Sequence, residues 1–158
     1  MIDFGPSDEQ RLIVETVRQF ATSEVRPRAR ECSEARKLPD DVLARAHELG
    51  LVAHALPGAS GGGDERSAVT GALVAEELAW GDLAIALAIL SPSLMALPIA
   101  DFGTPEQQRA WLPRFTADRF VPGTLALVEP SFRFDAFRPA STAKAEGDGW
   151  ILDGARDD

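Results

Sequence analysis

Apolar residues dominate the middle of this chain. Residues 67–100 read SAVTGALVAEELAWGDLAIALAILSPSLMALPIA, and from Leu83 to Ala100 no side chain is charged. A run of about 18 uncharged residues is at the lower limit for crossing a bilayer. Two expectations therefore compete, a membrane span and a helix pair at the centre of a bundle, and the second is favoured. Ser91, Pro92, Ser93 and Pro98 interrupt the run, and it is bracketed by acidic Asp82 and Asp101 rather than by the basic flanks that orient a span. Upstream, Val69, Leu73, Glu76/Glu77 and Trp80 recur at helical spacing and predict an amphipathic helix. Gly81-Asp82 breaks the pair, with Asp82 placed to cap its second member. A helix apolar on nearly every side has to be surrounded by protein, so the remaining segments are expected to surround it.

Those segments carry helical signals of their own. Ser7 and Gln10 have capping-box spacing, with Asp8 and Glu9 in the first turn. Leu12, Ile13, Val17, Phe20, Ala21 and Val25 then follow one face, and Pro27 suits the first turn of a new short helix after a bend near Arg26, ending at about Arg36. Pro39 opens a third helix with an inner stripe of Val42, Leu43, Ala46 and Leu49, and Gly50 closes it. Residues 58–63, GASGGG, lack both the Lys-Ser/Thr of a P-loop and GxGxxG spacing, which predicts a flexible connector rather than a phosphate cradle. Thr104-Pro105-Glu106-Gln107 is a second capping box with proline at the first helical position. Trp111, Leu112 and Phe115 are its expected buried face, and Pro113 limits its regularity.

The pattern changes after Arg119. Residues 121–128 (VPGTLALV), 141–145 and 150–152 read as short strands, the last two joined by the turn signal Gly147-Asp148-Gly149. Three short strands leave an open edge that invites pairing. The expected organisation is a helical domain over residues 1–119 followed by the truncated beginning of a β-domain over residues 120–158.

Composition excludes some functions. At 158 residues, 45% apolar, a real core is affordable. The net charge of −9 with no Lys/Arg block argues against nucleic acid as a partner. The lone Cys32 rules out an intrachain disulfide or cysteine metal cluster and fits a reducing cytoplasm. The first residues show no basic-then-apolar secretory pattern. His47 and His54 have neither a second ligand nor a nucleophile at motif spacing, so a structural role is expected for each and no metal site is assigned. The charged face around Arg26–Arg28, Arg30, Glu31, Glu34 and Arg36 is expected to be solvated.

The pieces taken in order resemble the acyl-CoA dehydrogenase family along essentially the whole chain. FGPSDEQRLIVETVRQFA, LPDDVLARAHELGLVAHALPGASGGG, ALVAEELAWGD before an apolar helix, FGTPEQQRAWLPRF, and LALVEP followed by GDGWILDG carry the resemblance. It implies a mostly α fold, an N-terminal helical bundle of acyl-CoA dehydrogenase type followed by an incomplete antiparallel β segment. It also implies part of an FAD-dependent oxidoreductase that oxidises the α–β bond of an acyl-CoA thioester and passes electrons to an electron-transfer flavoprotein. Members are usually oligomers, which makes a homo- or hetero-oligomer the expectation here.

The same resemblance locates the candidate site. The family's flavin-contacting run, of the form A-L-T-E-P-G-A-G-S-D, is matched by Ala126-Leu127-Val128-Glu129-Pro130-Ser131-Phe132-Arg133-Phe134-Asp135. Leu125, Leu127, Val128 and Phe134 are thereby the expected cofactor-contacting positions. Val128 replaces a hydroxyl, and Ser131 to Phe134 replace small residues that let backbone approach a ligand closely, which speaks against FAD retention by this chain alone. No residue matches the family's catalytic carboxylate. Glu76 and Glu77 are adjacent and diverge by about 100° on a helix, so they are not assigned as a catalytic pair. Turnover by this chain alone is not expected. Two further expectations stand beside it: a non-catalytic subunit that pairs with a full-length acyl-CoA dehydrogenase, and a helical ligand-binding domain that uses the apolar run as a pocket wall.

Overall fold

The structure is a computed structural model that describes residues 5–155. Expectations that touch residues 1–4 and 156–158, the absence of a secretory leader and the last residues of the β segment, lie outside the described residues. The chain divides into two compact units, one running through Thr124 and the other beginning at Leu125.

In the first unit, α1 (Asp8–Phe20) opens with the Ser7 capping box, in which Ser7 and Gln10 exchange side-chain and backbone bonds. A π-helical turn (Ala21–Val25) and a 3₁₀ turn (Arg26–Arg28) lead into α2 (Ala29–Ala35). This is the bend that Pro27 foretells. The extra residue in a π turn rotates the chain, and both Ala21 and Val25 end up fully buried. Leu12, by contrast, is exposed, so the inner face of α1 is narrower than its sequence stripe. After α3 (Asp40–Glu48), the glycine-rich segment is a hydrogen-bonded turn rather than a loose connector. Gly62 N–H bonds Pro57 O, Gly63 N–H bonds Ala53 O, and the Asp64 carboxylate accepts from Gly58 N–H at 2.8 Å. A Cβ on Gly62 would lie 2.1 Å from the Leu56 carbonyl oxygen, so glycine serves close approach there and not mobility.

The central pair is α4 (Ala68–Gly81) and α5 (Leu83–Phe102). They pack against each other, and α4 also packs on α1. Ser67 caps α4 and Asp82 caps α5. Two details differ from the sequence pattern. α4 buries Thr70, Val74, Glu77, Leu78 and Gly81, while Val69 and Trp80 are exposed. The helix is apolar on several sides, and periodicity alone does not select among them. Pro92 and Pro98 lie inside α5 and do not end it. Each removes one i→i−4 bond, and near the first Ser93 Oγ donates to Leu90 O at 2.5 Å.

α6 (Pro105–Trp111) carries the second capping box and gives way at Pro113 to a 3₁₀ turn (Leu112–Phe115). Leu112 and Phe115 are buried as expected, but Trp111 is partly exposed beneath the Arg114 guanidinium, 4.3 Å from its ring. Gln108 Nε2 donates to the carbonyls of Ala100 and Gly103 and so closes the end of α5. Two apolar clusters result. One joins Val17, Phe20 and Val25 to Val42, Leu43, Val74, Leu78 and Ile89, and the other joins Leu56, Ala96, Leu112 and Phe115. Phe120 and Val121 pack on these clusters.

The second unit holds an antiparallel hairpin of β1 (Thr142–Glu146) and β2 (Gly149–Asp153), in register Thr142↔Asp153 through Glu146↔Gly149. Residues 121–128 form no strand. The ladder of the second unit pairs only β1 with β2, and a strand is defined by its ladder.

Candidate functional site

Two surfaces carry the candidate chemistry, one in each unit. The first is a face of α5. Ile85, Ala86, Ile89, Pro92 and Ala96 face the core, while Leu83, Leu87 and Leu94, spaced by four and seven residues, are 62%, 63% and 48% exposed. Among the described residues the helix is thus not surrounded, as its all-round apolarity had implied. It is also long and apolar enough to cross a membrane by length and composition. Its inner face, though, is packed on the helical core.

The paired glutamates on α4 separate cleanly. Glu77 is 6% exposed, and its carboxylate accepts from Arg18 Nε at 2.7 Å and Nη2 at 2.5 Å. The hydrogen bond and charge of Glu77 raise the Arg18 guanidinium above its ordinary value. Glu76 points to solvent. Both oxygens of Glu77 are engaged, so it is a tie between α1 and α4 and not a proton acceptor. The histidines also hold structure. His47 Nε2 donates to Ala117 O at 2.5 Å with its ring edge-on to Phe120, and His54 Nδ1 donates to Gly50 O at 3.1 Å. Among the described residues no group of three His, Cys, Asp or Glu side chains is placed to hold a metal.

The second surface lies in residues 125–141. Leu125, Leu127 and Val128 have half-exposed side chains on an extended stretch, and Phe134 is partly buried in the loop beyond it. The backbone groups of Leu125, Leu127 and Val128 make no hydrogen bond among the described residues. An adjoining cleft of about 430 Å³ is lined by Ala126, Ser141, Thr142, Ala143, Leu152, Asp153 and Gly154, and by none of the four expected cofactor contacts.

From Glu129 onward the chain closes on itself. Glu129, 7% exposed, accepts from the amides of Ala140 and Ser141, each at 2.8 Å. Ser131 N–H bonds Glu129 O and Phe134 N–H bonds Ser131 O, while Arg138 N–H bonds Asp135 O. Arg133 N–H is held by Ser131 Oγ and Phe137 N–H by Asp135 Oδ1. Phe132 and Phe137 project fully into solvent. Sequence reasoning missed Glu129, whose role shows only through amides eleven and twelve residues away.

The sequence over residues 7–119 matches the family described as "Acyl-CoA dehydrogenase, N-terminal domain". The chain belongs to the acyl-CoA dehydrogenase family. Cyclohex-1-ene-1-carbonyl-CoA dehydrogenase of Geobacter metallireducens is 33% identical over 150 residues, 95% of this chain and 39% of that protein. Among solved structures, the glutaryl-CoA dehydrogenase of Mycobacterium smegmatis in complex with FADH2 superposes with a TM-score of 0.78 at 30% identity, covering 94% of this chain and 38% of that one. A chain in the structure of the electron transferring flavoprotein of Acidaminococcus fermentans superposes with a TM-score of 0.80 at 29% identity, covering 97% and 40%. The chain spans about two fifths of the length of these relatives. The mostly helical bundle with a short antiparallel pair is the fold expected for this part of the family.

The family implies a flavin, and residues 126–135 keep part of the run expected to contact it. Glu129, Pro130 and Asp135 match that run, while Val128 stands for a hydroxyl and Ser131, Phe132, Arg133 and Phe134 stand for small residues.

Proposed function

We propose that this chain is the N-terminal part of a flavin-dependent acyl-CoA dehydrogenase acting on the α–β bond of an acyl-CoA thioester. In this reading residues 1–119 are its helical domain and residues 120–158 the beginning of its middle β-domain. The chain contributes scaffold and wall: α5 offers Leu83, Leu87 and Leu94 as one side of a slot for the acyl chain. An apolar stripe left in water favours an aliphatic occupant, at about 25 cal/mol per Å² removed from solvent. The α-proton acceptor and the flavin phosphate site come from residues outside this chain. Abstraction needs a carboxylate within hydrogen-bond reach of that proton, and the buried Glu77 is already bound by Arg18. Cytoplasmic location, oligomer formation and electron transfer to an electron-transfer flavoprotein belong to the same reading.

The observation that carries it is the uncovered leucine face of α5 in a chain of this family. Its test is a thermal-shift series with acyl-CoAs of increasing chain length. A melting temperature that rises with acyl length is expected, and Leu87→Asp is expected to abolish the rise. A flat response in the unaltered chain ends the reading of α5 as an acyl wall.

The replaced run Ser131-Phe132-Arg133-Phe134 favours a second reading, a non-catalytic subunit that pairs with a full-length acyl-CoA dehydrogenase. Co-purification with such an enzyme, at fixed stoichiometry and without flavin on this chain, is its expected signature. A chain that stays monomeric in the presence of every such enzyme of its own cell rules it out.

A further inference from the structure

The exposed leucine face of α5 carries one backbone acceptor that the helix itself does not use. In an α-helix each carbonyl accepts from the N–H four residues on. Pro92 and Pro98 lie inside α5 and have no N–H to give, so the carbonyls of Ala88 and Leu94 lose that partner. The nearby Ser93 hydroxyl donates to Leu90 O instead. No side chain and no other segment donates to the Leu94 carbonyl among the described residues.

The two openings face different ways. Pro92 is buried, and Ala88 packs against the helical core. Leu94 is half-exposed, and Pro98 is partly exposed beside it. At 3.6 residues per turn, Leu83, Leu87 and Leu94 fall within about 40° of one another around the axis. A carbonyl points along the axis toward the residue four places on, so the open acceptor lies on the leucine side, about 10 Å along the helix from Leu87. An occupant of this face has to answer both features. Hydrocarbon alone would strip water from the Leu94 carbonyl, and a covered acceptor without a donor is costly. A free fatty acid brings an ionised carboxylate, which only accepts. An acyl thioester of a cysteamine arm brings an aliphatic tail and, two methylenes beyond its sulfur, an amide N–H.

We propose that the Leu94 carbonyl opened by Pro98 accepts the hydrogen bond of the cysteamine amide N–H of an acyl thioester whose tail lies on Leu87 and Leu83. The inference rests on the reading of α5 as an acyl wall and adds to it a direction and a polar contact. The tail runs toward the start of α5, and the thiol arm lies toward its end. The face thereby distinguishes an amide-bearing thioester from a free fatty acid of the same length.

Two ligands that differ in a single donor test it: S-octanoyl-N-acetylcysteamine and its N-methyl derivative, which keeps the tail and the thioester and loses the N–H. The full chain is expected to bind the first about tenfold more tightly, the worth of one hydrogen bond. Equal affinities overturn the proposal and leave the acyl wall in place. Binding of neither defeats the wall and the carbonyl contact together, so the two failures are distinguishable. Pro98→Ala returns an N–H to the Leu94 carbonyl and alters no leucine of the stripe. It is expected to erase the preference, whereas Pro92→Ala, on the core side, is expected to keep it. A preference that survives Pro98→Ala, or one lost equally in both variants, overturns the proposal. Should Pro98→Ala not fold, the carbon-13 carbonyl resonance of Leu94 in the unaltered chain makes the same test. It is expected to move with the N–H ligand and not with the N-methyl one, and an identical response to both overturns the proposal.

Discussion

Leu78 and Trp150 are both large apolar side chains in regular elements, yet Leu78 is fully enclosed and Trp150 is 70% exposed. The contrast holds for their whole units. The helical unit assembles two apolar clusters from five helices and the turns between them. Among the described residues of the β unit, the only buried side chain is the carboxylate of Glu129. Along the hairpin, Trp150 and Leu152 share one face with Ala145 and Ala143, and Ile151 and Lys144 share the other. An amphipathic two-stranded hairpin with its apolar face in water is marginal on its own. The helical unit is therefore held by packing, and the β unit by turns and one buried hydrogen-bonded acid.

Five substitutions probe that difference. The largest effect is expected from Leu78→Ala, at about 3 kcal/mol by chemical unfolding, because an enclosed leucine leaves a cavity. Trp150→Ala is expected to stay within about 0.5 kcal/mol in the same assay. Equal losses from the two would erase the comparison. Next is Arg18→Ala, which leaves the buried Glu77 carboxylate without its partner. Chemical unfolding is expected to show a loss smaller than that of Leu78→Ala, because Arg18 itself is largely in solvent. Thr104→Ala, which opens a capping box, is expected to cost about 1 kcal/mol. The smallest effect is acid dependence. The Arg66 guanidinium, hydrogen-bonded to Asp101, holds that carboxyl below its ordinary range. Its stabilisation is present above the unfolded-state value, about pH 3.9, and is lost as pH falls through the lower folded value. Asp101→Asn is expected to flatten that part of a melting-temperature profile taken from pH 6 downward.

The legible parts of the sequence were those decided within one turn. Ser7 with Gln10, Thr104 with Gln107, and Asp82 before Ile85 each satisfy donors three residues away, so spacing alone reveals them. Features set by distant partners were not legible. Which glutamate of α4 turns inward depends on Arg18, 59 residues earlier. Residues 121–128 have strand composition but are not assigned as a strand. GASGGG has the composition of a loose connector, yet the carbonyls of Ala53 and Pro57 and the Asp64 carboxylate bind it. For the candidate site, the motif located the extended stretch and the loop. The loop's closure was hidden because it depends on a carboxylate reaching amides that follow in no recognisable spacing.

The π turn at Ala21–Val25 has a counterpart in Gly81. A Cβ on that glycine would sit 3.0 Å from Val25 Cγ1 and 3.3 Å from Ala21 Cβ, so α4 ends against the turn with no clearance. The two features are therefore sterically coupled: alanine or serine at position 81 would press on Val25 and Ala21 unless the turn gives way. Glycine at this position should covary across the family with the length of the first helix.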